Sequence, residues 1–290
     1  FGKTTGTLQI AELGTLETPI ALTNTLNVGL VQDALVDYMI TKCRAEKVQV
    51  STVNAVVGEC NDGFLNRIRE RAVGKEEVYQ AIQSASRDFE EGDVGAGKGT
   101  SCFGMKGGIG SASRILELDG KEFVIGALVQ SNFGSTENFM LNGRMLGREL
   151  DARIREKQKD EGSIMMVIGT DLPVSDRQLY RILRRAGVGL SRCGSFMGHG
   201  SGDIMLGFST ANRFYYKEER AFVPTVILRE EALDPVFEAA AEAIEEAILN
   251  SLAMARTVTG YHGNTRYSFT DLYLEEWERK RKDADGKGEN

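Results

Sequence analysis

The sequence predicts an α+β fold in which outer helix layers cover stacked sheets. Three observations carry this. Apolar runs of strand length recur at 123–129, 164–168 and 203–210, and the middle one is apolar at every position. Amphipathic helical stripes alternate with these strands in blocks. Strands that are apolar on both faces need cover on both sides, which two helix layers supply. The length of 290 residues suits one large domain or two small ones.

Residues 1–26 are threonine-rich with a Thr18-Pro19 breaker, and read as strands and loops. Asn27 is placed to cap a helix whose stripe is Leu30, Val31, Ala34, Leu35, Tyr38 and Met39. Residues 51–57 alternate as a strand and run into the turn-rich segment 58–63. Over 75–89, Val78, Ile82, Ala85 and Phe89 share one helical face. The stretch 92–110 is dense in glycine. No Gly-Lys-Ser/Thr ending follows it and no strong strand precedes it, so the phosphate-loop patterns fail. Close backbone approach beside a cleft is the reading that remains.

The strand at 123–129 leads into Gln130-Ser131-Asn132-Phe133-Gly134, where an amide is either a turn residue or a positioned donor. Ser175 caps a helix predicted to reach Leu190. Its inner stripe is Leu179, Ile182, Leu183 and Ala186, with Arg177, Arg181, Arg184 and Arg185 on a solvated face. Small residues at 193–202 open the strand 203–210. Ser201 and Asp203 flank Gly202 there, so their side chains share one side. A strand at 225–228 follows. Asp234-Pro235 then starts a helix with an acidic cap and the stripe Phe237, Ala241, Ile244, Ile248 and Leu252. From Glu275 the chain is charged, and a frayed tail is expected.

The stretch with most chemical content is 151–171. Residues 151–161 are charged apart from Gln158 and the apolar Ala152 and Ile154; Gly162 is a hinge; Ser163 opens the buried strand. A linker can be cut, and a strand end can hold a new N-terminus rigidly. An N-terminal nucleophile needs that geometry, because its own α-amine is the base for its own hydroxyl. The same stretch also reads as a loop feeding a core strand. Ser195 and Ser201 each follow glycine and are alternative nucleophiles, but only Gly162 closes a long charged run.

Other classes are disfavoured. The net charge of −7 argues against a nucleic-acid partner. No apolar run approaches the ~18 residues of a membrane span, and no signal-peptide pattern opens the chain. Cys43, Cys60, Cys102 and Cys193 match no zinc or redox spacing, so no metal or cofactor is expected and a reducing, cytoplasmic setting is. His199 and His262 each sit beside glycine in loop-like stretches and read as surface residues. A hydrolase built on this chain therefore takes its base from elsewhere than histidine.

A set of ordered blocks carries a family resemblance. They are Leu16-Glu17-Thr18-Pro19-Ile20-Ala21-Leu22-Thr23-Asn24-Thr25, Asn61-Asp62-Gly63, Lys106-Gly107-Gly108-Ile109-Gly110, Gln130-Ser131-Asn132-Phe133-Gly134, Gly162-Ser163-Ile164-Met165 and Gly200-Ser201-Gly202-Asp203. Together, over residues 10–270, they resemble the DmpA / β-peptidyl aminopeptidase family of self-cleaving serine peptidases, whose relatives include nylon-oligomer hydrolases. The resemblance implies a four-layer αββα sandwich like that of N-terminal-nucleophile hydrolases. It implies a cut between Gly162 and Ser163 that leaves an α part, 1–162, and a β part, 163–290, in one domain. It also implies homo-oligomers of such αβ units.

Position by position, Asn132 resembles the oxyanion-hole amide, and Ser201 the serine beside the nucleophile's amine. Asp203 resembles the carboxylate that orients that amine, and Glu59 the acid that anchors the substrate's ammonium group. Asn61 stands where some members use a tyrosine near the oxyanion; an amide can donate there similarly. The family also has a segment before the position of Phe1, so a truncated sequence is expected, with a sheet edge unpaired in its absence. The implied activity is hydrolysis of small peptides, amides or esters from the N-terminus through an acyl-enzyme on Ser163. The alternatives are a non-catalytic binding or scaffold protein on the same fold, and an acyltransferase in which an amine replaces water.

Overall fold

The computed structural model describes residues 3–150, 154, 161–216 and 218–285. In chain order its elements are α1 (Thr7–Leu13), β1 (Ile20–Asn24), α2 (Val28–Ala45), β2 (Val56–Cys60), α3 (Lys75–Ser84), β3 (Ser101–Cys102), β4 (Met105–Lys106), β5 (Ile109–Leu118), β6 (Lys121–Asn132), β7 (Glu161–Thr170), α4 (Asp176–Leu183), α5 (Ala186–Arg192), β8 (Gly200–Ser209), α6 (Asp234–Ala253), β9 (Val258–Thr259), β10 (Thr265–Arg266) and α7 (Phe269–Asp285). Strands β5-β6-β7-β8 form one sheet, antiparallel except for the parallel β7–β8 pair. Strands β1 and β2 form a second, parallel sheet.

Strand β7 shows why the layers stack. Its side chains alternate between two faces. Ile164, Met166 and Ile168 enter a core with Ile244, Ala247 and Ile248 of α6. Met165 and Val167 point the other way, onto Val56 and Cys60 of β2. Helix α2 covers the outer face of β1–β2, with Val28, Val31, Ala34 and Leu35 against Ala55 and Val57. The order α2–α3, β1–β2, β5–β8, α4–α6 is the expected αββα sandwich. Ile164, Met166 and Ile168 are fully buried, and each contributes about 1.5–3 kcal/mol by leaving water. The glycine-dense stretch works by close approach, as expected: a Cβ on Gly108 would lie 2.0 Å from the Gly92 carbonyl oxygen.

Ser175 caps α4 as predicted, its hydroxyl accepting from the Gln178 N–H at 3.2 Å. The helix does not run on to Leu190: it turns at Arg184–Arg185 into α5. Arg177 is exposed, but Arg181 and Arg185 stack over the Phe237 ring at 5.1 and 3.8 Å, so this arginine face is partly packed. His199 and His262 are both exposed. The four cysteines are free thiols, of which Cys60, Cys102 and Cys193 are buried.

Several local expectations give way to tertiary partners. Residues 7–13 form a helix between Gly6 and Gly14, not a strand or loop. Asn24, not Asn27, makes the capping bond at the start of the α2 region: its carboxamide accepts the Asn27 N–H at 3.2 Å. The predicted strand 51–57 is displaced to Val56–Cys60, because β1 pairs with it from Ile20↔Val56 to Asn24↔Cys60. Helix α3 stops at Ser84, leaving Phe89 exposed. Strand β8 is only half-buried along most of its length, since β7 is its one described neighbour. Residues 225–228 are not a strand; Val226 and Ile227 face solvent and find no strand partner. Asp234 is the first residue of α6 rather than its cap. The expected tail from Glu275 is helical to Asp285, because α7 is seated through the buried Leu272. Apart from Ile154 and the backbone of Glu161, the charged run 151–161 lies outside the described residues.

Candidate active site

Strand β6 extends past the predicted 129 to Asn132, so Gln130, Ser131 and Asn132 are strand residues and not a turn. The extension places Asn132 directly across from Ser163 in the β6–β7 register. Residues opposite one another in an antiparallel pair share a face. The Asn132 carboxamide and the Ser163 hydroxyl therefore both project into the space between the sheets, beside Met165. Ser163 is 6% exposed and Asn132 8%. On its other side Ser163 pairs with Gly202, which presents no side chain to the hydroxyl.

Two bonds orient this pair. The Asn132 side-chain oxygen accepts the Ser101 N–H at 3.0 Å, which leaves its NH2 group as the donor. The Cys60 thiol reaches across from β2, 3.6 Å from the Ser163 carbonyl oxygen and 3.4 Å from that of Gln130. Burial pushes this thiol up to about 12 and so holds it in the neutral form. The Gln130 side chain donates to the carbonyls of Thr23, at 3.2 Å, and Ala96, at 2.9 Å, pinning β6 to the facing layer.

Gly162 sits inside β7, paired with Ser201, and its φ is outside the left-handed region. It is a spacer and not the expected hinge. A Cβ there would lie 2.1 Å from the Asn132 carbonyl oxygen. The bond preceding Ser163 thus runs hard against the end of β6.

Ser201 donates to Asp203 Oδ1 at 2.9 Å, so the two side chains do share one side. Register sets Ser201 beside Gly162 and Asp203 beside Ile164. By strand alternation they lie on the sheet face opposite the Ser163 hydroxyl. They adjoin the backbone of Gly162 and Ile164, on either side of Ser163, and not the Ser163 side chain.

Glu59 is buried, and its carboxylate accepts the Thr25 hydroxyl. It shares the α2-facing side of β2 with Val57, while its neighbour Cys60 takes the side facing Ser163. Asn61 is exposed, and its side-chain oxygen accepts the Gly63 N–H at 2.9 Å within its own turn. The structure therefore brings Asn132 to Ser163, sets Ser201–Asp203 alongside, and engages Glu59 and Asn61 elsewhere.

Sequence reasoning missed four residues around the site. Ser101 holds Asn132 through its N–H, and its hydroxyl accepts from Arg266 Nε at 3.0 Å. The Arg266 guanidinium lies 3.7 Å from the centre of the Phe64 ring, and burial draws it down to about 10. Lys106 is wholly buried, and burial draws its ammonium down to about 8. Asp62 is buried beside Asn66 and Asn24, and burial raises its carboxyl. The sequence blocks contain Lys106 and Asp62, yet nothing in their spacing distinguishes them from surface residues. An apolar groove of about 770 Å³ lies farther along the same sheet face, lined by Leu22, Leu128, Val167 and Phe208, away from the serine.

Comparison with known proteins identifies the family. The family described as Peptidase family S58 matches residues 1–266. The β-peptidyl aminopeptidase BapA of Sphingosinicella microcystinivorans is 38% identical over 279 residues, 91% of this chain and 69% of that protein. The PH0078 protein of Pyrococcus horikoshii OT3 is 45% identical with a TM-score of 0.86, covering 94% of this chain and 76% of that one. The L-aminopeptidase D-Ala-esterase/amidase of Ochrobactrum anthropi, described as a prototype serine aminopeptidase and a new variant among the Ntn hydrolase fold, is 32% identical with a TM-score of 0.85. It covers 96% of this chain and 77% of its own. With the layered fold and a serine at the head of its central strand, the chain belongs to peptidase family S58 and is an aminopeptidase of the N-terminal-nucleophile hydrolase fold.

Proposed function

We propose that Ser163 is the nucleophile, released by scission of the Gly162–Ser163 bond, and that the enzyme removes N-terminal residues from small peptides, amides or esters. The observation that carries this reading is the register pairing of Asn132 with Ser163 on one sheet face. In scission, Ser163 Oγ adds to the Gly162 carbonyl carbon. The C–N bond breaks, the hydroxyl proton passes to the departing nitrogen, and water hydrolyses the resulting ester.

The freed α-amine then acts as base. Its ordinary pKa of ~7.8 is close to working pH, so little tuning is needed. It takes the Oγ proton as Oγ attacks the substrate carbonyl, and returns it to the leaving amine or alcohol. The Asn132 NH2 donates to the oxyanion, a contribution of about 3 kcal/mol in comparable sites. Water attacks the acyl-enzyme, and the same amine accepts its proton. Ser201 and Asp203 stand in register with Gly162 and Ile164, the two neighbours of the residue that would carry this amine, which supports a role in orienting it.

Glu59 is assigned the substrate's ammonium group on the family pattern alone, since its buried carboxylate accepts the Thr25 hydroxyl on the side of β2 away from Ser163. Asn61 keeps a free-NH2 contact to substrate as its assigned part, since only its oxygen is used in the turn. The αβ units are proposed to associate as homo-oligomers, with no nucleic acid or membrane as partner. Among the described residues no helix is long and apolar enough to cross a membrane. The free thiols support a reducing, cytoplasmic setting.

The test is a denaturing gel with an assay on a small aminoacyl amide. Wild type should show two fragments and turnover; Ser163→Ala should show one intact band and none. A Ser163→Ala variant with wild-type turnover contradicts the reading.

A further inference from the structure

The peptide group joining Thr100 to Ser101 is gripped at both ends. Its carbonyl oxygen accepts from Lys106 Nζ at 3.0 Å. Its N–H donates to the Asn132 side-chain oxygen at 3.0 Å. We propose that Lys106 is a positioning residue for the oxyanion donor, acting on Asn132 through this single peptide plane. The inference rests on Asn132 being that donor.

Lys106 is fully buried. Its three ammonium protons are all used on backbone carbonyls: Gly97 at 2.8 Å, Thr100 at 3.0 Å and Gly107 at 2.5 Å. None remains for a carboxylate. Burying a charge without a counter-ion is unfavourable, and a methionine would fill the same volume without that penalty. What the ammonium adds is direction and charge. It draws electron density toward the Thr100 oxygen and makes the Ser101 N–H a stronger donor. That bond in turn polarises the Asn132 carboxamide, so its NH2 protons become more positive. These are the protons that face a developing oxyanion. The same three bonds tie Gly97 to Gly107, so the loop carrying Ser101 has fixed ends. Arg266 Nε holds the Ser101 hydroxyl at 3.0 Å and steadies the other side of the residue.

The experiment is a double-mutant cycle of Lys106→Met and Asn132→Ala, assayed on a small aminoacyl amide. Rates are normalised to the cleaved fraction seen on gels, and folding is followed by thermal unfolding. Lys106→Met alone should lower kcat by about tenfold or more while KM stays within about twofold, as for a misplaced donor. In the Asn132→Ala background the same substitution should change kcat little. An unchanged kcat in Lys106→Met, or an equal loss in both backgrounds, overturns the proposal. Lys106→Gln, which keeps two donors, repeats the cycle if the methionine variant does not fold. If neither variant folds, positioning cannot be separated from folding and the proposal fails. Should Asn132→Ala itself leave kcat unchanged, the oxyanion reading fails first, and that outcome is visible before Lys106 is touched.

Discussion

Asn132, the last residue of β6, stands in register with Ser163, near the start of β7, and both side chains face the space between the two sheets. The pairing sets a hydroxyl beside an amide whose oxygen is already engaged by Ser101. The NH2 group is thus held in place, which is the condition the proposed oxyanion donor must meet to stabilise charge that develops only in the transition state.

Removing that donor should act on the chemical step. Asn132→Ala is expected to lower kcat by ~10²–10³-fold, with KM changing far less. Steady-state kinetics on cleaved enzyme measure this. A rise in KM with kcat intact would assign Asn132 to substrate binding instead.

Gly162 tests the fit of the scissile bond. A Cβ there meets the Asn132 carbonyl oxygen at 2.1 Å, and backbone cannot yield as a flexible side chain can. Gly162→Ala should push β6 and β7 apart at the serine, destabilise the fold by about 1–3 kcal/mol, and slow scission. A gel time course after synthesis reads the rate. Processing at the wild-type rate would show that the close contact does not matter.

Lys106 links stability and activity to pH with opposite signs. Burial holds its ammonium at about 8 in the fold, against an ordinary value of 10.5. Between these values the unfolded chain binds more protons than the folded one, so this residue's contribution to unfolding free energy rises with pH. Below about 8 both states are protonated and the contribution is flat. The nearby charges that modulate this are Asp93, Asp62 and Lys98, with the Cys102 thiol. Wild-type stability relative to Lys106→Met should therefore climb from pH 8 to 10.5, while the relay's contribution to kcat declines. Denaturant titrations across that range check the first part, and pH–rate profiles of the two proteins the second. A stability difference that does not vary with pH would contradict it.

The thiols give an independent check that serine, not cysteine, does the chemistry. Cys60 and Cys102 are pushed up to about 12 by burial, and Cys193 is also raised. Cys43 is the least buried of the four. Brief treatment of the native enzyme with iodoacetamide should label Cys43 alone by mass spectrometry and leave turnover intact. Inactivation that tracks labelling of Cys60 would point to a thiol in the mechanism.

How much of this was legible depended on whether a residue's role is set locally. The central strand, the Ser175 cap and the shared side of Ser201 and Asp203 follow from periodicity and capping chemistry and appear in the structure, although the strand starts at Glu161, before Ser163. The ordered blocks identified the family, and the layers follow from it. Asn132 was ambiguous because a strand's end is fixed by its partner; β7 carries β6 three residues past the apolar run. The same cause displaced β2 to reach Cys60, and left 225–228 without a ladder. Lys106 was invisible for a different reason. Its burial depends on carbonyls of Gly97 and Thr100, which only the folded loop gathers around it.

The most direct measurement is N-terminal sequencing, with intact mass, of the purified wild-type protein. Active preparations should contain a fragment beginning Ser163-Ile164-Met165-Met166. A preparation in which the chain is continuous through Gly162 and Ser163, and which still hydrolyses aminoacyl amides at full rate, would contradict this.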